Sequence, residues 1–176
     1  MIICYNDFMK TIVLTGMSGS GKSTVAKYLS EKFNLKTFDI DELITKKENK
    51  SINEIFAQNG EKYFRHLEAQ IIQDIFQPEN ILISLGGGAF ENEYTRNFLL
   101  QNSIVIYLKT SPKNIFERLK TATDRPLLNN NMNLNNIENI LNSRMKNYEL
   151  AHFSIITDNK SIGQIGSEIT ECANLK

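Results

Sequence analysis

Three observations predict a three-layer α/β/α fold, with a five-stranded parallel sheet carrying helices on both faces. Short apolar runs alternate with longer segments of helical spacing from Ile12 to Ala173. Two of the runs, Ile81-Leu82-Ile83 and Ile104 to Leu108, are continuously apolar, as strands covered on both faces are. A glycine-rich loop separates the first run from the first helix. Strands alternating with helices form a parallel sheet with right-handed crossovers. The residues that act on a ligand then gather at the carboxyl ends of the strands.

Each element has a local reason. Ile12 to Thr15 is the first strand and Lys22 to about Phe33 the first helix. Thr37 to Asp39 reads as a short second strand, so that Asp39 and Asp41, two residues apart, would face the same side. Glu42 to Lys47 reads as helical. Ser51-Ile52-Asn53-Glu54 is a capping box, and Gly60 suits the residue just past a helix end. A second, longer helix is expected over Lys62 to Phe76, stopped by Pro78. Asn92 to Gln101 reads as helical, Ile104 to Leu108 as a strand, and Ser111-Pro112 supplies a cap and a first-turn proline for the next helix. Phe153 to Ile156 is the last strand and Ile162 to Ala173 the closing helix. Ahead of that last strand, Lys120 to Asn136 contains six Asn in the eight residues Asn129 to Asn136, too little apolar area to offset the entropy of ordering them. A mobile lid is expected there, with a solvated loop as the alternative.

Composition limits the function. The chain has 176 residues, enough for one domain with a substantial core. Twenty Lys and Arg balance twenty Asp and Glu, so no overall field favours nucleic acid or an anionic membrane, and an anion site must be built locally. Cys4 and Cys172 stand near opposite ends in no metal-ligand spacing, which reads as reduced thiols in a cytoplasmic protein. No apolar run approaches a membrane span. Residues 1–10 read as a tail, disordered or an artefact of the start site, ahead of a single domain over 11–176.

The chemistry starts at Gly16-Met17-Ser18-Gly19-Ser20-Gly21-Lys22-Ser23-Thr24, the G-x-x-x-x-G-K-S pattern of a phosphate loop. Its glycines let backbone N–H groups converge on phosphate oxygens, and the helix that follows adds its positive end. Gly19, Ser20, Gly21, Lys22, Ser23 and Thr24 are the expected ATP-binding residues, with Lys22 on the β and γ phosphates and Ser23 on magnesium. Asp39 and Asp41 can divide labour, one holding the magnesium shell and the other accepting a hydroxyl proton, although Asp41 can also simply cap the next helix. Arg65 lies one turn from both Glu61 and Glu68, the pattern of a surface ion pair, and Arg144 shares a helix face with Tyr148. Ser84-Leu85-Gly86-Gly87-Gly88 places three glycines at a strand end, where a ligand can approach backbone closely. His66 and His152 have no partner spacing.

Together these blocks, in this order from about Thr11 to Tyr148, resemble the shikimate kinase family of small P-loop kinases. The resemblance implies an ATP- and magnesium-dependent phosphotransferase acting on the shikimate 3-hydroxyl, cytoplasmic and monomeric, with no nucleic-acid or membrane partner. It implies that Asp39 supports magnesium with Ser23, and that Asp41 binds the shikimate hydroxyls and serves as base. It assigns Arg65 and Arg144 to the shikimate carboxylate and the Gly87 backbone to substrate. The Arg125-Pro126-Leu127-Leu128 string assigns Arg125, in a lid over about 120–136, to the ATP phosphates, and Arg118 to the adenine. The substrate region is expected over about 41–68. Ser84 stands where other P-loop proteins often carry an aspartate, which gives Asp39 more weight. A gluconate or nucleoside monophosphate kinase of the same build is the nearest alternative; a nucleotide-dependent switch without turnover is a more distant one.

Overall fold

The computed structural model describes residues 11–76, 81–120 and 133–175. The expected tail, Pro78, Cys4, and Arg125 with most of the expected lid lie outside them. The described elements run β1 (Ile12–Thr15), α1 (Lys22–Phe33), β2 (Lys36–Asp39), α2 (Ile40–Glu48), α3 (Ile52–Ile75), β3 (Ile81–Ser84), a 3₁₀ turn (Ala89–Glu91), α4 (Glu93–Asn102), β4 (Ile104–Lys109), α5 (Pro112–Lys120), α6 (Leu134–Tyr148), β5 (Phe153–Ile156) and α7 (Ile162–Ala173). The five strands form one parallel sheet in the order β2-β3-β1-β4-β5.

Strand periodicity divides the core into two layers. Val13, Ile81, Ile83, Val105 and Tyr107 point to one face, where they meet Ile44, Phe64, Leu99, Ile115 and Leu141 from α2 to α6. The alternate residues Ile12, Leu14, Leu82, Ile106 and Leu108 point to the other, where Val25 and Leu29 of α1 meet Ile165 and Ile169 of α7. Each such side chain taken out of water contributes roughly 1.5–3 kcal/mol. This is the expected three-layer arrangement.

Topology places the site. The crossover from β1 passes β3 to reach β2, whereas the crossover from β3 passes β1 to reach β4. Right-handed connections running in opposite directions lie on opposite faces, so the chain leaves the carboxyl ends of β1 and β3 in different directions and opens a crevice between them. The register sets Leu14 beside Ser84 there, and Ser84 beside Asp39.

One local expectation needs correction. β2 stops at Asp39 and α2 begins at Ile40, so Asp41 belongs to a helix and the two-residue rule for strands does not apply to it. Asp39 is the cap, accepting from the backbone N–H groups of Asp41 at 3.1 Å and Glu42 at 3.4 Å. The break expected at Gly60 is present: within Ile52–Ile75, Gly60 at φ 79° and ψ 170° leaves the helical path and separates two helical segments. Only a residue without Cβ adopts that backbone cheaply. The capping box at Ser51 is present as expected, with Ser51 Oγ accepting from the Glu54 N–H at 3.2 Å and Glu54 Oε2 from the Ser51 N–H at 2.8 Å.

Candidate active site

The phosphate loop is built from main chain. Gly21 caps α1 at φ 98°, with no side chain taking the first N–H groups of the helix and no acidic residue in its first turn. A helix start left open in this way is a seat for an anion. The Lys22 ammonium is buried and donates to the carbonyls of Gly16 at 2.8 Å and Met17 at 3.1 Å, which pins it against its own loop. Arg118, from the last turn of α5, donates to the carbonyls of Gly19 and Ser20, both at 3.2 Å. A cavity of about 380 Å³ opens here, lined by Gly19, Gly21, Lys22, Ser23, Thr24 and Arg118.

Asp39 ties the loop to the sheet. Its Oδ2 accepts from Ser23 Oγ at 2.6 Å and from Ser84 Oγ at 3.0 Å, while its Oδ1 caps α2. Four donors from three elements fix one carboxylate. Ser23 and Asp39 present hard oxygen donors side by side. Magnesium asks for one or two carboxylates and fills its remaining positions with water and phosphate, so this pair fits it. Among the described residues no cluster of three or more His, Cys, Asp or Glu forms a metal cage, and magnesium requires none.

A second cavity, also about 380 Å³, lies beside the first and shares Ser23, Asp39 and Asp41 with it. Its walls carry two guanidinium groups, Arg65 from α3 and Arg144 from α6, with Phe56, Phe64 and Ile140 supplying an apolar side. The three glycines after β3 explain how these groups approach. A Cβ on Gly86 would stand 2.6 Å from Asp41 Oδ1 and 2.7 Å from Glu68 Oε1. One on Gly87 would stand 2.8 Å from Ser18 Oγ in the phosphate loop, and one on Gly88 would run into Arg65 Nη2. Each glycine therefore makes room for a different wall of the site.

Glu68 is the residue the sequence undervalued. Arg65 donates to Glu61 at 3.4 Å and to Glu68 at 2.8 Å, the expected pairs, but Glu68 is 2 % exposed. This is no surface ion pair. Burial pushes the Glu68 carboxyl up to about 7; Arg65 opposes the shift, Asp41 adds to it, and Arg144 reduces it. Its Oε1 has no hydrogen-bond partner among the described residues. The signal was available: Phe64, Glu68, Ile71 and Ile72 fall on one apolar helical stripe. Arg144 Nη1 donates to the Gly87 carbonyl at 3.0 Å, and the Tyr148 hydroxyl donates to the same oxygen. Thus Gly19, Gly21, Lys22, Ser23, Thr24, Asp39, Asp41, Arg65, Gly87, Arg118 and Arg144 line two adjoining cavities, while Ser20 is buried in the loop and lines neither. The histidines stay apart: His66 is exposed and His152 Nδ1 accepts from the Val105 N–H at 3.0 Å.

The comparisons with known proteins agree on one family. The shikimate kinase family model matches residues 18–174. A shikimate kinase from Sulfurihydrogenibium sp. is 43% identical over 161 residues, 92% of this chain and 96% of that one. Among solved structures, shikimate kinase from Acinetobacter baumannii in complex with shikimate superposes with a TM-score of 0.87 at 30% identity, covering 93% of this chain and 92% of that one. Shikimate kinase from Aquifex aeolicus gives 0.81 at 35% identity, covering 93% and 96%. The chain belongs to the shikimate kinase family.

Proposed function

We propose that the chain transfers the terminal phosphoryl group of ATP to the 3-hydroxyl of shikimate, giving shikimate 3-phosphate and ADP. The observation that carries this reading is the meeting of two cavities at Ser23, Asp39 and Asp41, one walled by a phosphate loop and the other by two guanidiniums. Shikimate is a small anion with three hydroxyls. Arg65 and Arg144 grip its carboxylate, Arg65 through a planar fork held in place by Glu61 and Glu68. Anchored at that end, the ring presents its hydroxyls to Asp41, with the Gly87 backbone beside it. Two points of attachment turn the encounter of two substrates into an oriented reaction.

Asp41 accepts the proton of the 3-hydroxyl as that oxygen bonds to phosphorus and the bond to the leaving ADP oxygen breaks. Lys22, the amides of Gly19 to Thr24 and the open start of α1 stabilise the negative charge on the transferring group. The resemblance assigns Arg118, which donates to the loop carbonyls of Gly19 and Ser20, to the adenine and Arg125 to the ATP phosphates. Ser23 and Asp39 would hold magnesium, which when bound neutralises charge on the β and γ phosphates. We infer a monomeric cytoplasmic enzyme without nucleic-acid or membrane partners; among the described residues no helix is long and apolar enough to cross a membrane. The test is ADP release measured in parallel with shikimate, gluconate and nucleoside monophosphates. Shikimate-dependent release far above the others is expected; equal release with gluconate or a nucleotide, or nucleotide binding without turnover, overturns the reading.

A further inference from the structure

Arg144 and Tyr148 stand one helical turn apart on α6 and donate to the same acceptor, the carbonyl oxygen of Gly87. A carbonyl has two lone pairs and accommodates both. The two donors differ in freedom. Arg144 lines the cleft and has further N–H groups to offer, whereas Tyr148 is fully buried with its ring stacked on Tyr107, centroids 4.9 Å apart and planes at 21°. Burial pushes the Tyr148 hydroxyl up to about 12, so it keeps its proton and remains a donor. Gly87 in turn lies close to the phosphate loop, where a Cβ would meet the Ser18 backbone nitrogen at 2.9 Å.

We propose that Tyr148 is a positioning residue whose hydroxyl holds the Gly87 carbonyl while Arg144 leaves that oxygen and turns to the substrate carboxylate. The proposal rests on the reading of Arg144 as a carboxylate ligand. Arg144 must exchange a neutral acceptor for a charged one, and the exchange is favourable only if the acceptor it abandons keeps a partner. An acceptor left without a donor away from water loses its full hydration. With the Tyr148 hydroxyl in place, the carbonyl keeps one bond throughout and the Gly86–Gly88 segment does not move. Without it, Arg144 is retained on Gly87 and shikimate binds more weakly, with no change at the nucleotide.

The experiment is a double-mutant cycle between Tyr148→Phe and Arg144→Ala, read by calorimetric titration with shikimate and with ATP and by steady-state kinetics. Tyr148→Phe keeps the ring and its stacking. It should raise the shikimate KM and Kd about five- to tenfold, the worth of one hydrogen bond, with kcat within about twofold and ATP affinity unchanged. On the Arg144→Ala background, or Arg144→Lys where binding is too weak to titrate, the added effect of Tyr148→Phe should fall below about twofold. Tyr107→Phe is the control for the aromatic stack: it removes a buried hydroxyl with no hydrogen-bond partner among the described residues, and should leave both affinities unchanged. Full loss from Arg144→Ala with no change from Tyr148→Phe overturns this proposal alone. Equal weakening of ATP and shikimate by Tyr148→Phe, or the same penalty on both backgrounds, also overturns it and makes Tyr148 a packing residue. Unchanged shikimate affinity in Arg144→Ala overturns the carboxylate reading and this proposal with it.

Discussion

The two halves of the site are built by different means. The phosphate side is nearly continuous in sequence: Lys22 is held by carbonyls five and six residues away, and the anion seat is the start of the helix that the same string opens. The carboxylate side is assembled from α2, α3, the turn after β3 and α6, and Arg144 reaches Gly87 across 57 positions. One half uses backbone geometry, which a short motif encodes; the other uses side chains converging on three glycines, which only a fold can bring together. The difference teaches where each half is fragile. The phosphate side depends on single charged groups, and the carboxylate side on volumes no larger than a methyl group.

The largest effect should come from the phosphate side. Lys22→Ala removes the cation facing the phosphates in ground and transition state, and turnover should fall by about 10³-fold or more with the fold intact by circular dichroism. Activity within a few-fold of wild type would break the assignment of the loop. At the point where the halves meet, the two aspartates should separate. Asp41→Asn should cut turnover by about 10²-fold and leave ATP binding nearly unchanged, because an amide cannot take the hydroxyl proton. Asp39→Asn should instead raise the magnesium needed for half-maximal rate and recover in part with excess metal. Rescue of Asp41→Asn by magnesium, and not of Asp39→Asn, would reverse the roles.

The glycines test the comparison directly. Gly88→Ala drives a methyl group into the Arg65 guanidinium and should raise the shikimate KM about ten- to a hundredfold while sparing ATP affinity. Gly87→Ala drives one into the Ser18 main chain and should weaken both substrates. If the two variants behave alike, the halves are mechanically one unit. The smallest effect concerns Glu68. Its folded value of about 7 lies above its ordinary value of 4.5, so folding favours the protonated form. That contribution to stability is full below about pH 4.5 and is lost as pH rises through about 7. The thermal midpoint of wild type relative to Glu68→Gln should therefore drop by a few degrees between about pH 5 and pH 8. A constant difference over that range would mean that the buried carboxylate is charged and satisfied throughout.

Local physics made much of this protein readable from its residues. Continuous apolar runs fixed β3 and β4, the capping box fixed the start of α3, and the loop before Lys22 fixed the anion seat, because each depends on contacts within a few residues. That Asp39, and not Asp41, caps α2 was not readable. Whether a carboxylate ends a strand or starts a helix turns on one residue of boundary, and the donors from Ser23 and Ser84 that hold Asp39 come from other strands and helices. Arg65 and Glu68 show the same limit. Spacing determined that they pair, but burial decided what the pair is, since Glu68 leaves water only when α3 docks against the turn after β3. The sequence by itself determined the elements, their order and the phosphate loop, all set by short-range geometry. Tertiary structure alone decided which side chains share a cavity and which charges lose their solvent, because those depend on distances between segments that sequence spacing does not contain.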